Sequence, residues 1–382
     1  MRYIIATTAG ILLAQAGAAE ELRIGAAVSM TGGYAYADVP AIEGLQVAID
    51  ELNDAGGIAG TYTIVLDIRD GRSDPAQTTL VAQELIASGI HVLITPADAD
   101  PSIGAGLVAA QAQVPAFATV ASSPTLPLSA GEYMFGNFPG DNMQATVSAR
   151  YARDTGYETA FILYSRDSSY TQLPLYFQEV FEELGGTVVG EAVYSLGQQD
   201  FSAIVTQIGA FDPAPDVIMT AAYEPDFPAF IRQLRASGVV IPVIGSDGID
   251  SPTTFSLGEV AEGVVFSTAG FAQDDNALAN FYVAFEKKYG RPSETIYTAL
   301  GYDIIKVVAA AVEAAGSTDG PALRDAIAGL ENVQGATGLI TYAGREDRVP
   351  LRPVTLVRVT GGERELVIQE TPPSELVPEP QY

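Results

Sequence analysis

The stretch RIGAAVSMTGGYAYADVPAIEGLQVAIDELNDAGGIAGTYTIVLDIRD (residues 23–70) decides the fold. RIGAAVSM (23–30) reads as a strand, and AIEGLQVAIDELNDAGG (41–57) as a helix stopped by Gly56 and Gly57. TYTIVLDIRD (61–70) reads as the next strand. Outward from there the alternation continues. Asp74-Pro75 supplies an N-cap with proline in the first turn of a helix reaching about Ser88. HVLITP (91–96) is a strand, Pro101 to Gln113 a helix and VPAFATVA (114–121) a strand. Strand–helix units recurring about every thirty residues imply a parallel sheet with helices on both faces.

Turn residues in FGNFPGDN (135–142) interrupt the pattern, which then restarts. Helices over 143–156, 173–186, 201–211 and 227–238 alternate with strands over 158–165, 187–194, 216–223, 241–248 and 264–270. Two long helices follow, over 276–289 and 294–315, and PVTLVRVTGGERELVIQE (353–370) reads as a hairpin turning at Gly361-Gly362. The residues from 371 to 382, with Pro372, Pro373, Pro378 and Pro380, read as a loose extension. The expected fold is α/β, with two doubly wound parallel-sheet lobes in one chain.

The N-terminus MRYIIATTAGILLAQAGAAEEL has a basic Arg2, an apolar run from Ile4 to Leu13 and small residues at Ala16-Gly17-Ala18. That is the three-part pattern of a cleaved secretory signal over residues 1–19. The run is shorter than the ~20 residues a membrane span needs. An exported, soluble, monomeric protein in a bacterial periplasm is expected. The balance of 19 Lys+Arg against 47 Asp+Glu gives a net charge of −28, which argues against nucleic-acid and anionic-lipid partners. With no cysteine and His91 the only histidine, thiolate metal sites, cysteine nucleophiles and multi-histidine clusters are excluded. His91, at the head of an apolar strand, reads as structural.

Nucleotide motifs fail as well. GAGLVA (104–109) matches G-x-G-x-x-A, but Ala97 to Ile103 separate it from the preceding strand, and plain helix packing explains it. No glycine precedes Lys287, Lys288 or Lys306 as a P-loop requires, and IGSDG (244–248) is not a nucleophile elbow. No cofactor, metal or catalytic residue is expected. The positive signal lies at the strand C-terminal ends, where open parallel sheets bind ligands. SMTGGYAYAD (29–38), TPADADPS (95–102), TVASSPTL (119–126), YSRDSSYT (164–171), AAYEPDF (221–227) and GSDGIDS (245–251) are rich in Tyr, Ser, Thr and Asp. Such side chains hydrogen-bond and stack on a small polar ligand.

These segments, with VPAFATVASSPTL, YSRDSSYTQLPLYFQEVFEELGG, AAYEPDFPAFIRQLRASG, IPVIGSDG and GYDIIKVVAAAVEAAG, resemble the branched-chain-amino-acid-type periplasmic binding proteins. Those are the solute receptors of ATP-binding-cassette (ABC) importers. The likeness runs along the whole chain after the signal. It implies a type I binding protein with three crossovers, near Phe138, Ala269 and Thr341. The lobes would be 20–138 plus 270–340 and 139–269 plus 341–370. The resemblance implies ligand contacts from Ala121 and Ser122 in the first lobe and from Tyr170, Tyr223 and the ammonium-binding Asp247 in the second. Tyr36 matches an aromatic lid.

Where relatives meet the ligand carboxylate with a serine, this chain has Asp100 within PADADPS, with Asp98 beside it; a shifted register would present Ser102 instead. The resemblance thus implies a non-catalytic receptor for an amino acid or related amine, with an ABC permease as partner. An amide, urea-like compound or diamine lacking a carboxylate, using Asp98 and Asp100, is the alternative ligand. A sensory partner protein in place of the permease, and a secreted enzyme with a carboxylate pair, are the alternative roles.

Overall fold

The computed structural model describes residues 20–381; the signal segment 1–19 lies outside the described residues. The first run is β1 (Glu20–Val28), α1 (Ala35–Asp54), β2 (Tyr62–Asp70), α2 (Pro75–Ala87), β3 (Val92–Thr95), α3 (Ala99–Gln111), β4 (Ala116–Ala118), α4 (Leu126–Ser129) and β5 (Met134–Phe135). Its five strands form a parallel sheet in the order β2-β1-β3-β4-β5. Central β1 pairs on both sides, Ile24 facing Leu66 and Val92, so its apolar run is buried from Leu22 onward.

The second run is α5 (Asp141–Asp154), β6 (Thr159–Ser165), α6 (Leu173–Glu183), β7 (Thr187–Tyr194), α7 (Ser202–Gly209), β8 (Val217–Thr220), α8 (Asp226–Ala236), β9 (Val243–Gly245), α9 (Pro252–Ser256) and β10 (Val265–Thr268). The chain then returns to the first sheet through α10 (Ala277–Tyr289), α11 (Tyr297–Ala315), α12 (Gly320–Ala328) and the small pair β11 (Val333–Gln334) and β12 (Leu339–Ile340). It closes with β13 (Val354–Thr360) and β14 (Glu363–Glu370), antiparallel at the edge of a seven-stranded sheet ordered β14-β13-β10-β9-β8-β6-β7. Two sheets crossed three times by the chain, after β5, β10 and β12, give the α/β two-lobed architecture.

Both sheets reverse their winding beside a central strand. β2 and β3 flank β1, and β7 and β8 flank β6, so the loops leaving β1 and β3, and β6 and β8, diverge and open a crevice at each carboxyl edge. Two glycines hold the long helices at close range. A Cβ on Gly44 of α1 would fall 1.6 Å from the Thr298 carbonyl oxygen, and one on Gly301 of α11 would fall 1.8 Å from that of Ala41. Only a missing side chain permits that approach.

The crossovers meet on a buried ion pair. Arg352, before β13, lies 2.7 Å from Asp303 of α11, both side chains wholly inaccessible. The same guanidinium donates to the carbonyl of Asn137 and the hydroxyl of Thr337. Asp303 also accepts from the Ala336 N–H and the Thr337 hydroxyl, each at 2.5 Å. A charged pair partnered on all sides but the buried Arg352 Nε is tolerated without water, and removing one member would strand the other.

Three local expectations are corrected. Helix α1 starts at Ala35 instead of 41, running through Pro40, and α3 starts at Ala99 with Asp98 as its N-cap, two residues before Pro101. The tail is not a loose extension. Pro378 and Leu376 offer carbonyls to Asn142 and Thr146 of α5, and the Gln381 N–H donates to the Tyr176 hydroxyl at 2.8 Å. Prolines removed donors from that segment but left acceptors, which α5 satisfies. His91 is structural: its Nδ1 accepts the Arg23 N–H at 2.9 Å.

Candidate functional site

The carboxyl edges of the two sheets face each other across a cleft that opens to solvent. Divergence of the strand-end loops supplies its walls. From the first lobe come Tyr34 and Tyr36 after β1, Asp98 after β3, and Ala121, Ser122 and Ser123 after β4. The second lobe contributes Tyr170 after β6, Tyr223 after β8, and Asp247 with Gly248 after β9. Tyr297, the first residue of α11, completes the lining.

Seven of the residues singled out from sequence meet here: Tyr36, Asp98, Ala121, Ser122, Tyr170, Tyr223 and Asp247. Asp100 does not. It sits exposed in the first turn of α3 and is absent from the cavity lining. The early start of α3 turns it outward, where the positive end of the helix dipole favours a carboxylate for stability alone. Ser102 is not the substitute either, since its hydroxyl donates inward to the Pro96 carbonyl at 3.0 Å. The first-lobe residue facing the ligand space is Asp98, whose Oδ1 accepts the Asp100 N–H at 3.0 Å as the helix cap.

The second-lobe wall is tightly organised. The Tyr170 hydroxyl lies 2.6 Å from the Ser246 hydroxyl and accepts the Gly248 N–H at 2.7 Å. Its ring meets that of Tyr223 edge to face, 5.7 Å between centroids. That arrangement fixes the turn carrying Asp247. A Cβ on Gly248 would fall 2.6 Å from the Tyr170 hydroxyl oxygen, so the turn admits nothing larger.

Two contacts join the lobes beside the cavity. The Tyr297 hydroxyl donates to the Asp247 carbonyl at 2.8 Å, and its ring packs edge-on against Tyr36 at 6.3 Å. Arg364 of β14 donates to the Glu294 carbonyl at 3.1 Å while it is paired with Asp250.

Charge dominates the chemistry. Among the described residues the lining has five tyrosines and two carboxylates, and no Lys, Arg or His. Asp247 is 4% exposed with Oδ1 unpartnered, and burial lifts its carboxyl to about 7. Burial also raises Asp98 to about 6, helped by the negative charge of Asp100. Asp38, equally buried and raised to about 7 by desolvation, has a different job. Its oxygens accept the Ser29 N–H at 2.7 Å and the Thr119 hydroxyl at 2.6 Å, tying together the ends of β1 and β4.

A carboxylate lacking a partner in a desolvated cavity is stabilised by a cation, and tyrosine faces attract the same species. Among the described residues no group of three or more His, Cys, Asp or Glu is placed to hold a metal ion. The sequence missed Tyr34, Ser123 and Tyr297. A signal for Tyr34 existed in its spacing from Tyr36, whereas Tyr297 reads as helix interior.

A family model described as periplasmic binding protein matches residues 21–363. The Leu/Ile/Val-binding protein BraC3 of Rhizobium johnstonii is 27% identical over 333 residues, covering 86% of this chain and 89% of its own length. The Leu/Ile/Val-binding protein homolog 1 of Brucella abortus is 28% identical over 301 residues, covering 78% and 80%. Among solved structures, the leucine-binding protein LivK of Thermotoga maritima superposes with a TM-score of 0.82 at 25% identity, covering 92% of this chain and 99% of that one. An ABC transporter substrate-binding protein of Desulfitobacterium hafniense in complex with Leu gives 0.78 at 26%, covering 91% and 100%. Likeness along nearly the whole described length, in sequence and in fold, shows that the chain belongs to the periplasmic binding protein family.

Proposed function

We propose that this protein is the periplasmic solute receptor of an ABC importer, capturing a small amine-bearing molecule, an amino acid or a derivative, between its lobes and delivering it to a membrane permease. The single observation that carries the ligand class is a cleft lined by Asp98 and Asp247 with no cationic side chain beside them. An ammonium group neutralises Asp247, and the tyrosines enclose the rest. The names of the amino-acid-binding relatives support the same class.

Mechanism follows from topology. The ligand touches both lobes, so it binds the closed state better than the open one and shifts a hinge equilibrium about the crossovers. Closure presents a surface the permease reads as loaded. The three-part pattern in residues 1–19 supports export with cleavage leaving Ala19 or Glu20 first, ahead of β1. N-terminal sequencing of periplasmic protein checks that, and light scattering checks the monomer.

A second reading has its own support. Asp98 occupies the first-lobe wall where a ligand carboxylate would be repelled, which favours a ligand neutral or cationic at that end. Native mass spectrometry of gently purified protein, followed by thermal-shift screening with amino acids, their amides and amines, tests both. A bound or stabilising amine is the expected result; stabilisation only by anions or neutral sugars would overturn the class.

A further inference from the structure

A second cavity adjoins the first, and Ser123 lines both. Its floor holds Asp141, in the first turn of α5. The Asp141 carboxylate is 1% exposed, and neither of its oxygens has a hydrogen-bond partner. Among the described residues no Lys, Arg or His lines this cavity, whose other polar walls include Thr125, Ser169 and Gln172. The Ser169 hydroxyl is also buried without a partner. A first-turn acid is favoured by the helix dipole. That preference explains an exposed carboxylate such as Asp100; one this buried is ionised only when a cationic partner reaches it.

We propose that the cleft takes a ligand with two cationic groups on a short aliphatic chain, an α,ω-diamine, with one ammonium at Asp247 and Asp98 and the other reaching Asp141 in the adjoining cavity. The proposal rests on the amine reading of the first cavity and extends it past Ser123. Burial raises the Asp141 carboxyl well above its ordinary range, the nearby Ser122 hydroxyl offsets part of that, and the charges of Asp247 and Asp98 raise it further. Holding all three acids ionised takes more than one positive charge, and among the described residues neither lining has a basic side chain to supply it.

Calorimetric titration of the exported chain with 1,5-diaminopentane and with pentylamine, at equal ionic strength, tests this directly. The diamine is expected to bind at least tenfold tighter than the monoamine. In Asp141→Asn, which conserves shape, that ratio should fall to near one. Equal affinities in the wild type overturn the proposal without using any variant. A preference that persists in a folded Asp141→Asn overturns the assignment to that residue. L-Leucine is the control for the underlying reading. If leucine or pentylamine binds and the diamine gains nothing, only the two-cation inference fails. If all three fail to bind, the amine reading itself fails.

Discussion

Asp247→Asn should weaken ligand binding and strengthen the empty fold, two effects of opposite sign from one atom. Burial lifts the Asp247 carboxyl from 3.8 to about 7. Each pKa unit is worth about 1.4 kcal/mol, so ionising it in the empty cleft costs about 4 kcal/mol. An acid whose pKa is raised by folding holds its proton longer in the native state, so stability falls as pH rises from the unfolded value towards about 7. Above that, the whole penalty stands. Asparagine mimics the protonated acid. At pH 4 the variant should match the wild type, and at pH 8 it should be more stable by about 2–4 kcal/mol.

Binding moves the other way. Losing one member of a buried charge pair costs roughly 3–5 kcal/mol, and the amide oxygen retains part of the hydrogen bond. A net loss near 3 kcal/mol weakens binding about a hundredfold. Calorimetric titration with the ligand found by mass spectrometry reads the second effect, and thermal unfolding across pH 4–8 reads the first. Wild-type affinity would remove Asp247 as the anchor. A variant destabilised at pH 8 would show the carboxylate to be partnered within the protein.

Asp98→Asn should weaken binding about tenfold without loss of stability, because asparagine caps a helix as well as aspartate does, and should stabilise the empty fold at pH 8 by relieving the buried charge, though by less than Asp247→Asn does; calorimetry and chemical denaturation separate the two. Asp100→Ser, on the exposed side of the same turn, should alter affinity less than twofold in the same titration. Arg352→Met leaves Asp303 buried and unpaired, so urea denaturation should show a loss of roughly 3–5 kcal/mol. An unchanged midpoint there would mean the hinge pair is dispensable.

The alternation of strands and helices was legible because each element buries one face, and burial imposes its period on the sequence. The site was legible only where it is local. Tyr170, Tyr223 and Asp247 sit one loop beyond recognisable strand ends, so the polar strand-end segments held them and the family resemblance could single them out. Asp100 was chosen over Asp98 as the carboxylate-facing residue because it aligns with the serine that relatives use there, in a stretch where α3 was expected to start only at Pro101. The cap at Asp98 moved the helix back, and in a helical turn a small shift changes which side chain faces inward. Tyr297 could not be reached by such counting. It stands at a helix start 50 residues from Asp247, and only the return of α11 to the first lobe brings its hydroxyl to the Asp247 carbonyl. Asp141 lay hidden for a related reason, its turn reading as a boundary between lobes.

The placement of the acids also fixes when the empty receptor can close. Asp98 belongs to the first lobe and Asp247 to the second, so closing without a cation brings two carboxylates together in a drying space. The Tyr297 hydrogen bond across the cleft offsets about 1 kcal/mol of that. Moving a hinge from 1:99 to 99:1 takes about 5.5 kcal/mol, so the ligand's charge has to supply most of the shift. Protonation should replace part of that charge. With carboxyls raised to about 6 and about 7, both are largely neutral at pH 5 and both largely ionised at pH 8. The empty protein should therefore have a smaller radius of gyration at pH 5 than at pH 8 by small-angle scattering, and saturating ligand should compact it less at pH 5. In Asp247→Asn the pH dependence of the empty form should shrink. A radius that is the same at both pH values, with normal closure on ligand, would show that charge repulsion does not hold the lobes apart.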